Sequence, residues 1–320
     1  MKRGSVVAGV DIGGTNTKIG LVDEKGDILG RKTISTTDFP LVEDFIAAIS
    51  ETIEELIHEA ASYDLLAIGI GAPNANYHKG TIELAPNLRW KGIIPFAAMM
   101  KEKSGRPVTI TNDANAAAVG EMTFGGAKGM SDFIIITLGT GLGSGIVTGG
   151  EVLYGSTGFA GELGHTLMVP EGRKCGCGKK GCLETYVSAT GIVRTAISML
   201  EETTTASSLR EIKHSDITSE MIAVAAEQGD GIALEAFRFT SEKLGIALVN
   251  AIVFSSPEAI FLFGGLAKAG RLITEPVIAY VDSHVQPIFR GTYKILHSAL
   301  PEADAAILGS AALAWKKINL

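Results

Sequence analysis

One imidazole and three thiols stand close together in the chain. His165 ends the segment Gly161-Glu162-Leu163-Gly164-His165, and Cys175, Cys177 and Cys182 follow it. These are all 3 of the cysteines. A Cys₃His set is the donor composition of a closed, tetrahedral zinc shell. Gly176, Gly178 and Gly181 lie between the thiols and let the chain fold tightly round a small ion. An odd number of thiols so tightly grouped does not form a disulfide framework. The alternative is three incidental thiols or a redox patch. Four protein ligands leave no open coordination position, so a metal here would fix a loop and take no part in chemistry.

Two glycine turns form a second kind of site. Asp11-Ile12-Gly13-Gly14-Thr15-Asn16-Thr17 lies between two apolar runs, and Leu138-Gly139-Thr140-Gly141-Leu142-Gly143 lies between two more. Paired glycines let backbone N–H groups line one concavity, an anion site. Thr15 and Thr17 add hydroxyl donors, and Asp11 is placed to hold Mg²⁺ through water. A plain hairpin turn without ligand is the other reading of each. A dinucleotide fingerprint requires a helix directly after its glycines. Here Ser144 to Val147 reads as a strand, so that class is excluded. There is no G-x-x-x-x-G-K-[ST] loop.

Thr111-Asn112-Asp113-Ala114-Asn115 ends a strand and opens a helix. A carboxylate at such a place either caps the helix or accepts a proton from a bound hydroxyl. Phosphoryl transfer needs little more from a protein than positioning, charge neutralisation and such a base.

The two turns resemble the phosphate motifs of the actin-like ATPase superfamily. From about Val6 to about Trp315 the chain is similar to the ROK family of sugar kinases and sugar-responsive repressors. The resemblance implies a nucleotide held by Asp11, Gly13, Gly14, Thr15 and Lys18 and by Gly139, Thr140 and Gly141. A third glycine pair, Gly264-Gly265 after Phe263, then touches the adenosine. It implies Asp113 as the base that activates a sugar 6-hydroxyl, with Asn112 on a sugar hydroxyl. Glu162, His165, Glu184, Asn87 and the backbone at Gly71 become sugar contacts. His165 would bind zinc with one ring nitrogen and the sugar with the other. The implied cofactors are ATP, Mg²⁺ and a structural Zn²⁺.

The elements that must position these residues read as α/β. Apolar runs at Ser5–Val10, Lys18–Val22, Ile28–Ile34, Leu65–Ile70, Val108–Thr111, Phe133–Leu138, Ser144–Val147 and Ala259–Phe263 are strands. Leu41, Phe45, Ile49, Ile53 and Leu56 recur at helical steps after Pro40, giving a helix through His58. Residues 114–122, 219–253 (with a break near Gly229) and 303–317 are further helices. The polar stretch 201–215 is a surface loop. Strand, glycine turn, strand occurs twice, the mark of a duplicated fold. With the resemblance, the expected architecture is a two-domain actin-like (ribonuclease H-like) α/β fold with a central cleft that closes on sugar. The first domain covers residues 1–113 plus 303–320, and the second covers 114–302, carrying the zinc loop and a dimerisation surface.

Composition sets the outer limits. The chain has 320 residues, enough for two domains, and 39 glycines. A net charge of −7 disfavours nucleic acid as a partner. No apolar run reaches the roughly 20 residues of a membrane helix, and Asp11 cuts short any signal-peptide core. The protein is expected to be cytoplasmic. His58, His78, His214, His284 and His297 have no partner pattern and read as structural or surface residues. The expected function is ATP-dependent phosphorylation of glucose at its 6-hydroxyl, by a homodimer. The alternative acceptors are fructose, mannose, N-acetylmannosamine and N-acetylglucosamine. A sugar-sensing repressor would carry a helix-turn-helix ahead of the first strand, which begins here by residue 6. An ATPase without sugar would lack the Glu-x-Gly-His and cysteine motifs.

Overall fold

The computed structural model describes residues 3–318. In chain order the first stretch holds β1 (Gly4–Ile12), β2 (Asn16–Asp23), β3 (Ile28–Ser35), α1 (Val42–Glu59), β4 (Tyr63–Gly71), β5 (Ala75–Asn76), β6 (Thr81–Glu83), β7 (Ile93–Ile94), α2 (Phe96–Ser104), β8 (Val108–Thr111) and α3 (Asp113–Phe124). Next come β9 (Phe133–Leu138), β10 (Leu142–Thr148), β11 (Glu151–Val152), α4 (Ala189–Glu202), α5 (Ser219–Glu227) and α6 (Gly231–Ser255). The chain ends with β12 (Ala259–Phe263), α7 (Arg271–His284), β13 (Lys294–His297) and α8 (Ala305–Ile318). The fold is mixed α/β. None of the described helices is long and apolar enough to cross a membrane.

Two five-stranded sheets carry the elements, ordered β3-β2-β1-β4-β8 and β11-β10-β9-β12-β13. In the first, β1, β2 and β3 pair antiparallel, while β1, β4 and β8 run parallel. Parallel pairing needs crossovers, and α1 and α2 supply them. It also buries both sheet faces, which is why Val6 to Val10 and Leu65 to Ile70 are nearly continuous apolar runs. In the second sheet β9, β12 and β13 are likewise parallel. A small third sheet, β5-β6-β7, stands apart.

The chain divides into two compact units. The first comprises the chain up to Met130, then Gly145–Gly161, then the chain from Ala299. The second comprises Ser131–Ser144 and Glu162–Ser298. The line therefore falls elsewhere than the expected 113/114 and 302/303. Packing explains the difference. α3 lies against α8, where a Cβ on Gly120 would come within 2.8 Å of the Gly309 Cα. Gly145 in β10 packs equally closely on Ala114 and Ala118 of α3. Ala299 is tied to α3 by its N–H, which donates to the buried Glu121 Oε1 at 3.0 Å.

The core of the first unit sits between its sheet and α1, with Phe45, Ile49, Ile53 and Leu56 fully or almost fully buried. Leu41 does not join them. It is the N-cap of α1 and is 59% exposed. Phe45 also packs, tilted, on the Trp90 ring at a centroid distance of 4.6 Å. On the other face of the sheet α8 rests directly on the backbone. Gly9 of β1 and Gly69 of β4 are cross-strand partners. A Cβ on Gly9 would overlap the Ile307 carbonyl oxygen, and one on Gly69 the Ser310 carbonyl oxygen. The two glycines thus make a groove that receives the helix.

Candidate active site

The first unit gathers nine of the candidate residues. Parallel register sets Asp11 of β1 beside Gly71 of β4, and Gly71 beside Thr111 of β8. Three strands therefore end in one row, and Asp113 starts α3 two residues beyond it. Asp113 borders Gly71, since a Cβ on that glycine would meet the Asp113 Cα at 3.7 Å. The Gly71 N–H donates to Ser310 Oγ of α8 at 3.1 Å, which fixes the row from behind. Lys18 is the cross-strand partner of Asp11.

The glycine turn between β1 and β2 closes through the Gly13 N–H, which donates to the Asn16 carbonyl at 3.0 Å. No hydrogen bond among the described residues takes up the N–H groups of Gly14 and Thr15. Gly14 is required by a close approach. Its Cβ would stand 2.8 Å from the backbone oxygen of Asn87. Asn87, exposed, is thereby brought to the turn. Its loop is held by Lys91 Nζ, which donates to the Leu88 carbonyl at 2.6 Å and the Pro86 carbonyl at 3.2 Å. Thr17 departs from expectation. It is wholly buried, and its hydroxyl bonds to Thr36 Oγ1 at 2.8 Å, so it offers no donor to an anion. Side chains alternate along a strand, and Thr17 takes the inward position. Thr15 is exposed.

Asn112 caps α3. Its Oδ1 accepts from the Asn115 N–H at 2.7 Å. Asp113 is therefore released from the capping role, and only the Nδ2 amide of Asn112 is left to face a ligand. The Asp113 side chain is reached by solvent, yet protein surrounds it. That burial raises its carboxyl above the ordinary aspartate range, outweighing the N–H that Ala114 donates at 2.8 Å. Burial, then the nearby Asp113 charge, push Asp11 up to about 6, with Lys18 opposing. A carboxylate beside a like charge, as Asp11 is, is less willing to ionise.

The second unit gathers the remainder. His165 Nδ1 lies 3.8 Å from Cys175 Sγ, and Cys177 Sγ lies 3.7 Å from Cys182 Sγ. All four donor atoms fall within 4.8 Å of one another. Donors at about 2.1–2.3 Å from one tetrahedral centre would be about 3.5–3.8 Å apart, so the residues fit a single metal ion. Their electrostatics agree. Burial pushes the Cys175 thiol up to about 12 and also raises Cys182. Burial opposes ionisation of Cys177 as well, but the Lys179 N–H and the neighbouring thiols outweigh it and lower that group. Three thiolates coexist here only with a cation among them. Because Nδ1 faces the thiols, Nε2 of His165 is the nitrogen left for another partner.

Arg173, which the sequence did not single out, anchors the cysteine loop. Its Nη1 donates to the Thr185 and Gly191 carbonyls at 3.0 and 3.2 Å and to Thr195 Oγ1 at 2.9 Å. Its guanidinium lies over the Tyr186 ring at 4.7 Å. Glu162 precedes the short turn Leu163–His165 and is exposed. The Leu163 N–H in that turn donates to Ser144 Oγ at 3.1 Å.

Gly139, Thr140 and Gly141 form the turn between β9 and β10. The Gly139 N–H closes it onto the Gly141 carbonyl at 3.0 Å. Gly264, with φ +103°, ends β12 against the Leu138 backbone, and Gly265 follows with open space at its Cα. The third glycine pair thus lies beside the second turn. Glu184 is not a solvated surface charge. Its Oε2 accepts from the Leu142 N–H at 3.0 Å, and its Oε1 lies 3.5 Å from Cys175 Sγ.

The Asp11 carboxyl gives a pH-dependent expectation. Its folded-state pKa is raised, so the folded state binds the proton more tightly than the unfolded chain does. Stability therefore falls as pH rises from about 4 to about 6 and stays lower above that. In Asp11→Asn without nucleotide or divalent cation, stability at pH 7.5 should rise by roughly 1–2 kcal/mol, discounted for partial solvent access. That gain would appear as a few degrees in Tm and vanish near pH 4. Circular-dichroism melts at the two pH values check this, and equal Tm values at pH 7.5 would contradict it.

The chain matches the family model described as ROK family over residues 7–317. It is 38% identical over 274 residues to a glucokinase of Streptomyces coelicolor, covering 84% of each chain. It is 35% identical over 321 residues to a glucokinase of Thermotoga maritima, covering 97% of this chain and 98% of that one. Among solved structures, a ROK family glucokinase from Streptomyces griseus in complex with glucose and AMPPNP superimposes with a TM-score of 0.80. It shares 34% identity, with 97% of this chain and 99% of that chain covered. By motif, by fold and by length matched, this chain belongs to the ROK family.

Proposed function

We propose that the chain transfers the γ-phosphoryl group of ATP to the 6-hydroxyl of glucose. The observation that carries this reading is the state of Asp113. Asn112 has relieved it of capping, solvent-borne molecules can reach it, and the protein packed around it raises its carboxyl above the usual aspartate range. Substrate and donor are supported by the relatives, which are glucokinases, and by the S. griseus structure, which holds glucose with an ATP analogue.

In this reading Asp113 accepts the proton of the 6-hydroxyl. The new O6–P bond forms as the bond between the γ-phosphorus and the β,γ-bridging oxygen breaks, and ADP leaves. A carboxyl raised above the usual aspartate range is a stronger proton acceptor once ionised, which suits the task. The open N–H groups of Gly14 and Thr15 serve the phosphates, with Lys18 alongside. Gly139, Thr140 and Gly141 serve them from the second turn, and Gly264-Gly265 the adenosine. Asp11, crowded by Asp113, would hold Mg²⁺ through water, which neutralises phosphate charge.

The Asn112 amide, Asn87, the backbone at Gly71, Glu162, the Nε2 of His165 and Glu184 are assigned to the sugar by the resemblance to the family. The Cys₃His cluster is assigned to a structural zinc. Its four protein ligands leave it no open position, so it orders the loop carrying Glu162, His165 and Glu184.

Two measurements test this. In a coupled assay with ATP and Mg²⁺, glucose should give the highest kcat/KM in a panel with mannose, fructose, allose, N-acetylglucosamine and N-acetylmannosamine. A tenfold advantage for another sugar would reassign the acceptor. Atomic absorption should find one zinc per chain, lost below about pH 5 as protons compete for the thiolates. Purified, folded and active protein without zinc would refute the metal assignment.

A further inference from the structure

Glu184 touches two features at once. Oε1 lies 3.5 Å from Cys175 Sγ, in the metal cluster, and Oε2 accepts from the Leu142 N–H at 3.0 Å, at the end of the second glycine turn. Gly141 is pressed against the same oxygen, where a Cβ would overlap Oε2. The backbone of Glu184 is fixed as well, because its carbonyl accepts from Ser188 Oγ at 2.8 Å. Thr137 Oγ1 takes the Gly143 N–H at 3.2 Å, and two further anchors hold carbonyls of the turn. Gly139 O accepts from the Ala189 N–H at 2.9 Å, and Thr140 O from Thr190 Oγ1 at 2.8 Å. Among the described residues, no hydrogen bond takes up the N–H groups of Thr140 and Gly141 at the tip. Glu184 and Thr137 thus brace the N–H side of the turn while leaving its tip open, and Glu184 is the one of the two that also touches the metal cluster.

We propose that Glu184 is a positioning residue that ties the order of the metal loop to the second glycine turn, so that metal in the Cys₃His cluster raises affinity for adenine nucleotide before any sugar binds. A sugar contact alone would not do this. The idea rests on the assignment of that turn to the nucleotide. A bound metal fixes Cys175, and Cys175 walls one side of the carboxyl. The carboxyl keeps its rotamer, and the Leu142 N–H stays where the turn needs it. Supporting residues one step removed from a ligand shell commonly change affinity about 10–100-fold when removed.

The test uses the full chain without sugar. Amide hydrogen exchange is followed at Leu142, and binding of AMPPNP with Mg²⁺ is followed by calorimetry. Wild type, metal-stripped wild type, Glu184→Ala and Glu184→Gln are compared. The expected result is exchange at Leu142 about tenfold faster in Glu184→Ala and in stripped wild type, with AMPPNP bound at least tenfold more weakly. Glu184→Gln keeps an acceptor oxygen and should restore both. Unchanged Leu142 exchange in stripped wild type and in Glu184→Ala overturns the coupling. Faster exchange with unaltered AMPPNP affinity upholds the link between loop and turn, and removes the nucleotide assignment on which the affinity claim rests. If Glu184→Ala does not fold, stripped wild type decides alone.

Discussion

The register that sets Asp11 beside Gly71 and Gly71 beside Thr111 is the constraint on which the first unit depends. It places a carboxylate, a side-chain-free backbone and the start of a helix on one line. Nothing in that line can shift by a residue without turning Asp11 inward. The line is held from behind by α8, whose backbone lies in the groove of Gly9 and Gly69 and whose Ser310 hydroxyl takes the Gly71 N–H. The helix that ends the chain thus secures the row from which the chemistry is proposed to begin.

The second unit solves a comparable problem by different means. Its stretch from Glu162 to Ser188 has little regular structure, so packing alone holds it weakly. Arg173 and the four metal donors supply the missing order, and Glu184 extends it to the glycine turn. Ionising the two buried thiols is electrostatically unfavourable by itself, as the raised Cys175 and Cys182 show. A dication would convert that liability into a fixed frame. Both units therefore crowd acidic groups where a cation would relieve them.

Much of this was legible in the residues. The strand, glycine turn, strand pattern located β1–β2 and β9–β10, and the thiol spacing located the metal donors. The strands β9 and β12 were placed to the residue because parallel strands read as nearly unbroken apolar runs, and β8, with its β-branched Val-Thr-Ile-Thr, was placed to the residue as well. What escaped has physical causes. β5, β6, β7 and β11 are two or three residues long, too short for any period. α7 contains Pro276, which reads as a breaker. The buried face of α4 mixes Gly191 and Thr195 with Ile192 and Leu200, which blurs its stripe. Thr17 looked like a ligand because its type fits, but alternation along β2 turned it inward. The bracing of Leu142 by Glu184 spans 42 residues and could not be read from local sequence.

The central claim is that Asp113 takes the proton of the acceptor hydroxyl. Steady-state kinetics of Asp113→Ala, paired with calorimetric glucose binding, tests it most directly. The account predicts kcat lower by roughly 10²–10⁴-fold with glucose still bound and the fold intact. Turnover within a few-fold of wild type would contradict it.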